Sequence, residues 1–136
     1  MRPLKIYLVE DSPVIRDSLI ATLEELLPAR VVGSAEDEST ALRWLRESGE
    51  RVDLAIVDIF LKRGSGLGVL KAAQTLPQRP LMVVLSNYAR VEMRSECLAL
   101  GAERVFDKST EIDALVQYCA ELAAVDLPCG TLPAAA

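Results

Sequence analysis

Acidic, hydroxyl and lysine side chains follow the short apolar runs of this chain at the points where those runs end. In chain order they are Glu10, Asp11, Asp58, Ser86, Asn87, Asp107 and Lys108. If the apolar runs are parallel strands, their carboxyl ends and the loops after them form the ligand crevice of an open sheet. We therefore expect these side chains to converge at one edge of the sheet.

Three converging carboxylates need a compensating cation, because a like-charge pair at ~4 Å costs about 4 kcal/mol at an effective dielectric near 20. Hard divalent ions take oxygen ligands from carboxylates, backbone carbonyls and water. The chain contains no histidine and no CxxC pair. This donor set favours Mg²⁺, with Mn²⁺ as a possible substitute, over zinc. Lys108 supplies a further positive charge.

A carboxylate beside a metal, a lysine and a hydroxyl is suited to phosphoryl transfer onto aspartate. The metal and the lysine offset charge on the oxygens of the transferring group, and the carboxylate attacks to form an aspartyl phosphate. The absence of histidine excludes imidazole bases, Ser-His and Cys-His nucleophiles and phosphohistidine formation on this chain.

Short runs rich in Ile, Val and Leu alternate with amphipathic stretches, which is typical of an α/β fold with a parallel sheet. The predicted strands are residues 5–9, 30–33, 54–57, 81–85 and 104–106. The runs LAIV and LMVVL are almost entirely apolar, which predicts two strands buried on both faces at the centre of the sheet.

Five helices are predicted between and after these strands. The first begins at Asp11-Ser12-Pro13, ends before Pro28 and presents Ile15, Leu19, Leu23 and Leu26 at helical spacing. The next three are expected at residues 39–48, 67–76 and 91–100. The fifth begins with a capping-box pattern at Thr110 to Asp113 and carries an apolar stripe of Ile112, Leu115, Val116, Cys119 and Leu122.

Taken together, these residues resemble the receiver domain of bacterial two-component response regulators over about residues 3 to 124. The matching positions are the acidic pair Glu10 and Asp11, the phosphoacceptor Asp58, the hydroxyl residue Ser86, the switch aromatic Phe106 and the lysine Lys108. The resemblance implies a flavodoxin-like, doubly wound, five-stranded parallel sheet of order 2-1-3-4-5 flanked by five helices. It also implies one receiver domain at residues 1–124. The end of the chain shows no periodicity, which predicts a flexible tail or linker stub at 125–136.

The resemblance further implies how the site works. Asp11 and Asp58 would ligate Mg²⁺ directly, Glu10 would act through a water, and the backbone carbonyl of Phe60 would complete the protein ligands. The phosphoryl group would come from a phosphohistidine on a sensor histidine kinase or a histidine phosphotransfer protein. The chain would catalyse only its own phosphorylation and dephosphorylation, and is therefore not expected to be an enzyme in the usual sense.

After phosphorylation, the Ser86 hydroxyl and Lys108 would move toward the phosphoryl oxygens, and Phe106 would turn inward. This switch would remodel the face made by helix four, strand five and helix five, which would signal to an unknown downstream protein or relay the group.

Several positions depart from the receiver pattern. Ser109 follows the lysine where proline in a cis peptide is usual, so the resemblance leaves the geometry of this peptide open. Asn87 follows the hydroxyl residue, and Phe60 and Tyr88 occupy positions that tune the reaction rate in this family. We expect these three residues to control access to Asp58.

Composition places limits on the partners of the chain. Its 136 residues suit one domain, and a formal charge of -5 with a pI near 4.8 argues against direct binding of nucleic acid. Three cysteines without a disulfide or zinc pattern fit a reducing cytoplasm. No leader and no membrane-spanning run is visible, so we expect no membrane association. A monomer or a weak phosphorylation-dependent dimer is expected.

The sequence is also compatible with other functions. The chain could be the receiver of a longer DNA-binding regulator, with the next domain after residue 126. It could instead be a protein-binding module with a receiver fold that is not phosphorylated. A haloacid-dehalogenase-like phosphatase is disfavoured because Asp58-Ile59-Phe60 lacks the DxD pattern, and a flavodoxin because the loop after strand one is acidic and without glycine.

Overall fold

Five strands and five helices alternate in the computed structural model, which describes residues 3–87 and 90–124. The strands are β1 (Leu4–Val9), β2 (Ala29–Ala35), β3 (Leu54–Val57), β4 (Leu81–Ser86) and β5 (Ala102–Asp107). The helices are α1 (Pro13–Leu26), α2 (Glu38–Glu47), α3 (Gly66–Ala73), α4 (Val91–Ala99) and α5 (Ile112–Ala124).

The strands form one parallel sheet of order β2-β1-β3-β4-β5, which confirms the predicted fold class and topology. All residues of β3 and β4 are buried, as their apolar runs predict for interior strands covered on both faces. The order of the strands reverses between β1 and β3, so the loops after these two strands diverge and leave a crevice.

Helices cover both faces of the sheet and form two apolar cores. Leu19 and Leu23 of α1 and Leu115 and Cys119 of α5 pack on one face. Residues of α2, α3 and α4 pack on the other, where Tyr7 of β1 stacks on Trp44 with ring centroids 4.2 Å apart. The apolar stripe predicted for α5 is confirmed, because its residues all belong to or pack against the first core.

The largest differences from the predicted elements lie at the edges of the sheet and at the end of α3, which stops at Ala73 and not at residue 76. β2 and β5 are longer than expected, since pairing with β1 and β4 draws polar and small residues into the ladder. Leu26 fits the helical spacing of α1 but is 61% exposed, while the next residue, Leu27, is buried. The helix ends at Leu26, so Leu27 has extended backbone and turns back toward the core.

Cys97 and Cys119 are buried free thiols, in agreement with their interpretation as small apolar residues. Burial raises the pKa of Cys97 to about 11 and that of Cys119 to about 12, so both thiols are protonated at neutral pH.

Within the described residues, no helix has the length and apolar character needed to cross a membrane. Tyr88, Cys129 and residues 125–136 lie outside the described residues.

Candidate functional site

The parallel ladder delivers the predicted site residues to one edge of the sheet. The amide of Asp58 donates a hydrogen bond to the carbonyl of Val9 at 3.0 Å, which places Asp58 beside the end of β1. The amide of Lys108 donates to the carbonyl of Ser86 at 3.0 Å, which joins the ends of β4 and β5. Glu10 directly follows Val9, so four strand ends meet at the same place.

Both oxygens of the Asp58 carboxylate are engaged. Its Oδ1 accepts hydrogen bonds from the Ser86 hydroxyl and from the backbone amide of Phe60, each at 3.2 Å. Its Oδ2 accepts from the Lys108 ammonium at 2.8 Å. Asp58 is only 6% exposed and Ser86 is fully buried. Three donors therefore fix one carboxylate at the base of the crevice.

Lys108 bridges two buried carboxylates, because its ammonium also lies 2.6 Å from Oε1 of Glu10. Burial lowers the pKa of Lys108, but its hydrogen bonds to Asp58 and Glu10 outweigh burial and raise that pKa above its usual value. Burial raises the pKa of Glu10 despite the opposing effects of Lys108 and the Ser12 amide. Lys108 is therefore charged at neutral pH.

Glu10, Asp11 and Asp58 form an acidic cluster. Each offers a carboxylate oxygen, and these oxygens lie within 4.8 Å of one another. With Lys108 as the adjacent cation, three ionised carboxylates would leave a charge of about -2. An all-oxygen donor set with this charge fits a hard divalent cation such as Mg²⁺. The acidic cluster predicted from the sequence is thus present in the fold.

The start of α1 orients Glu10. The Ser12 amide donates to Oε2 of Glu10 at 3.1 Å, and the Ser12 hydroxyl accepts from the Ile15 amide at 3.3 Å. Pro13 occupies the first helical turn. Ser12 therefore provides the side-chain cap of α1, and the Glu10 carboxylate remains directed toward Lys108.

The loop after β3 folds back tightly on the phosphoacceptor candidate. Phe60 and Ser65 form an antiparallel bridge, and the amide of Gly66 donates to the carbonyl of Ile59 at 3.0 Å. A Cβ atom at Gly66 would overlap the carbonyl oxygen of Asp58. Only glycine lets α3 begin this close to the end of β3.

The predicted switch and access residues occupy different surroundings. Phe106 is 5% exposed and lies in the core, with its ring centroid 5.9 Å from that of Tyr118. Phe60 is 58% exposed and Asn87 is also exposed, both adjacent in sequence to the site. Tyr88 falls outside the described residues. The structure thus brings five predicted site residues together, while Phe106 lies in the apolar core. The five are Glu10, Asp11, Asp58, Ser86 and Lys108.

The loop after Lys108 is ordered without a cis peptide: the bond between Lys108 and Ser109 is trans. The Ser109 amide donates to Oδ1 of Asp107 at 2.8 Å, an Asx-type contact that turns the chain toward α5. Asp107 thereby shapes the segment that carries Lys108.

A polar link joins α4 to the beginning of α5. Arg94 forms a 2.6 Å ion pair with Glu111 and donates to the carbonyl of Val105 at 2.7 Å. This pair and the Asp107 amide hold the pKa of Glu111 below its usual value. The pairing of Arg94 with Glu111 could not be predicted from the sequence, because 17 positions separate the two charges. Val91 and Leu98 of α4 are 75% and 50% exposed.

Comparison with known proteins agrees with this geometry. A family model described as the response regulator receiver domain matches residues 6–120. The Fimbriae Z protein of Salmonella typhimurium is 25% identical over 113 residues, which are 83% of this chain and 53% of that protein. Protein-glutamate methylesterase/protein-glutamine glutaminase 1 of Pseudomonas savastanoi is 29% identical over 128 residues, covering 90% of this chain and 35% of that protein. The chain therefore spans about a third to a half of the length of these curated relatives.

Solved structures share the whole fold. The response regulator domain of Thermotoga maritima CheB superposes with a TM-score of 0.79 at 20% identity, covering 93% of this chain and all of that one. The phosphorylated cyanobacterial phytochrome response regulator RcpA superposes with a TM-score of 0.72 at 25% identity, covering 93% and 99% of the two chains. Since the family model matches residues 6–120, which is most of this chain, the chain belongs to the response regulator receiver domain family of two-component signalling.

Proposed function

We propose that this receiver domain accepts a phosphoryl group on Asp58 and transmits a signal through the resulting change in conformation. The observation that carries the proposal is the arrangement around Asp58. Its buried carboxylate contacts the ammonium of Lys108 and the hydroxyl of Ser86 inside a cluster of three carboxylates. This set provides a nucleophile together with groups that offset negative charge on a phosphoryl group.

The proposed step transfers a phosphoryl group from a phosphohistidine of a partner protein. A carboxylate oxygen of Asp58 attacks phosphorus, and the new O–P bond forms as the donor's P–N bond breaks. The electron pair of that bond remains on the imidazole nitrogen of the donor. The Lys108 ammonium, 2.8 Å from the carboxylate, then binds a phosphoryl oxygen and stabilises the charge on it.

The residues of the acidic cluster would hold Mg²⁺. Asp11 and Asp58 would be direct ligands, Glu10 would act through a water, and Phe60 would contribute its backbone carbonyl. The ion would offset charge on the oxygens of the transferring group. These residues would bind the ion and fix the Asp58 carboxylate, and the burial of Asp58 would exclude bulk water from it.

Phosphorylation would shift the domain between two states. The Ser86 hydroxyl, which donates to Asp58 in the present state, would donate to the phosphoryl group, and Phe106, already buried in the core, would change its orientation there. The changes would reach α4, β5 and α5, where Val91 and Leu98 already expose apolar surface. Phe60, Asn87 and Tyr88 would form the rim that controls access of donors and water to Asp58.

The partners follow from this scheme. A sensor histidine kinase or a histidine phosphotransfer protein would supply the phosphoryl group, and a downstream protein would bind the remodelled face. The chain spans only part of the length of its relatives, so a second possibility is that it is the receiver domain of a longer regulator. In both cases residues 1–124 would form the receiver domain and residues 125–136 a tail or linker. We propose a monomer or a weak phosphorylation-dependent dimer that does not itself bind nucleic acid.

Incubation with acetyl phosphate tests the proposed function without a partner. With Mg²⁺ present, we expect the intact mass of the protein to increase by one phosphoryl group. Because the acidic cluster needs the cation to receive another anionic group, EDTA should prevent the increase. An increase of equal extent in EDTA, or the absence of any increase at saturating Mg²⁺, would contradict the proposal.

Substitution of Asp11 tests the metal site separately. We expect Asp11→Asn to weaken Mg²⁺ binding by at least about tenfold in calorimetric titration, because a charged oxygen ligand is lost. Asp17→Asn is the matched control, since Asp17 lies on α1 with its side chain 71% exposed and pairs with Arg16. Equal Mg²⁺ affinity for the two variants would remove Asp11 from the metal site.

A further inference from the structure

Glu38, in the first turn of α2, holds the loop that carries the phosphoacceptor site. Its Oε1 accepts a hydrogen bond from the Ser65 amide at 2.8 Å, and its own amide donates to the carbonyl of Arg63 at 3.2 Å. Two hydrogen bonds therefore join the beginning of α2 to residues 59–65, which we call the acceptor loop.

Two glycines make room for this side chain. Gly64 has a φ of +78°, and a Cβ there would lie 2.5 Å from the Cβ of Glu38. A Cβ at Gly68 would overlap the Glu38 carboxylate itself. The carboxylate thus lies against the backbone at the amino end of α3, where the helix dipole favours a negative charge. The chain pattern KRGSGLG accommodates a glutamate from another helix.

The contact continues from Ser65 to the site. The Ser65 hydroxyl caps α3 by accepting from the Leu67 amide at 3.0 Å, and it lies 3.4 Å from the carbonyl of Ile59, which it can donate to. Ser65 also forms the antiparallel bridge with Phe60, whose amide donates to the Asp58 carboxylate. A short chain of contacts therefore runs from Glu38 through Ser65 and Phe60 to Asp58.

We infer that Glu38 is a positioning residue for the phosphoacceptor site, acting through Ser65 on the acceptor loop. The inference rests on the proposed function, because it assigns Glu38 the task of fixing Phe60, whose carbonyl is a proposed Mg²⁺ ligand. Loss of the Glu38 carboxylate leaves the Ser65 amide without this acceptor. The acceptor loop then samples conformations in which the Phe60 backbone no longer faces the acidic cluster.

The first readout needs neither metal nor donor. In the Mg²⁺-free protein, we expect hydrogen exchange of the Ser65 amide to be about tenfold faster in Glu38→Ala than in wild type, because a hydrogen bond to a charged acceptor is lost. Glu38→Gln keeps an acceptor oxygen at this place and should restore exchange to within about threefold of wild type. Glu47→Ala, an exposed glutamate at the other end of α2, is the matched control.

The second readout is the Mg²⁺ dissociation constant, measured well below the unfolding temperature of each variant. We expect Glu38→Ala to weaken Mg²⁺ binding about fivefold to tenfold, a range typical of residues that orient metal ligands. Glu38→Gln and Glu47→Ala should both remain near wild type. A purely structural role would lower the unfolding temperature and leave the Mg²⁺ affinity of the folded protein unchanged.

The outcomes separate this inference from the proposed function. If wild type binds Mg²⁺ and Glu38→Ala binds it as well as Glu47→Ala, the positioning role is wrong and the proposed function stands. A Glu38→Gln variant as defective as Glu38→Ala would also contradict the inference, since charge rather than the hydrogen bond would then matter. If wild type itself fails to bind Mg²⁺, the proposed function fails first.

Discussion

Asp58→Asn is expected to abolish Mg²⁺-dependent uptake of a phosphoryl group from acetyl phosphate. The carboxamide has almost the same shape as the carboxylate and keeps an oxygen that can accept from Ser86 and from the Phe60 amide. It is not a nucleophile of comparable strength, so no acyl phosphate can form at a useful rate. Lys108 retains Glu10 as an ion-pair partner, so the variant should remain folded.

Intact mass after incubation with acetyl phosphate and Mg²⁺ checks this expectation, with circular dichroism to confirm the fold. Asp113→Asn, an exposed carboxyl in the first turn of α5, provides the matched control and should gain a phosphoryl group like wild type. Uptake by Asp58→Asn at the wild-type rate would assign the acceptor to another residue.

Lys108→Met is expected to lower both the stability of the fold and its reactivity. The ammonium is the shared partner of Glu10 and Asp58, and both carboxylates are almost completely buried. Removing one member of such a buried group leaves uncompensated charge, so we expect the free energy of unfolding to fall by about 3 kcal/mol. Phosphoryl uptake should slow by about 100-fold because a donor to the transferring group is lost.

Urea unfolding in EDTA measures the stability change without the metal. Lys71→Met, an exposed lysine near the end of α3, should change the free energy of unfolding by less than about 0.5 kcal/mol. Adding Glu10→Gln to Lys108→Met should recover part of the loss, because it removes one of the buried negative charges. A Lys108→Met variant as stable as Lys71→Met would refute the proposed charge balance.

The sheet, and the acidic cluster with its neighbouring Lys108, were predictable because they follow from local sequence patterns. Continuous apolar runs identify β3 and β4, and a parallel arrangement sends the residues after each strand to one edge. The strand pattern therefore predicts that three side chains lie close together: Glu10, Asp58 and Lys108. The hydrogen bond from the Asp58 amide to the Val9 carbonyl confirms that the ends of β3 and β1 lie side by side.

Contacts between side chains of distant elements were not predictable in this way. Glu38 and Ser65 are 27 positions apart, and neither charge pattern nor periodicity relates them. The close approach of Gly66 to the Asp58 carbonyl likewise depends on how α3 packs against the end of β3. Leu26 fits the helical spacing, yet the end of α1 decides that Leu27 is buried instead.

Chemical mapping of the phosphoryl group shows directly whether Asp58 is the phosphoacceptor. The protein is phosphorylated with acetyl phosphate and Mg²⁺, reduced with borohydride, which converts an aspartyl phosphate to homoserine, and digested for mass spectrometry. We expect homoserine at position 58 and unmodified aspartate at position 11. Homoserine at another position, or a phosphoryl group that resists borohydride, would contradict the assignment of Asp58 as the phosphoacceptor.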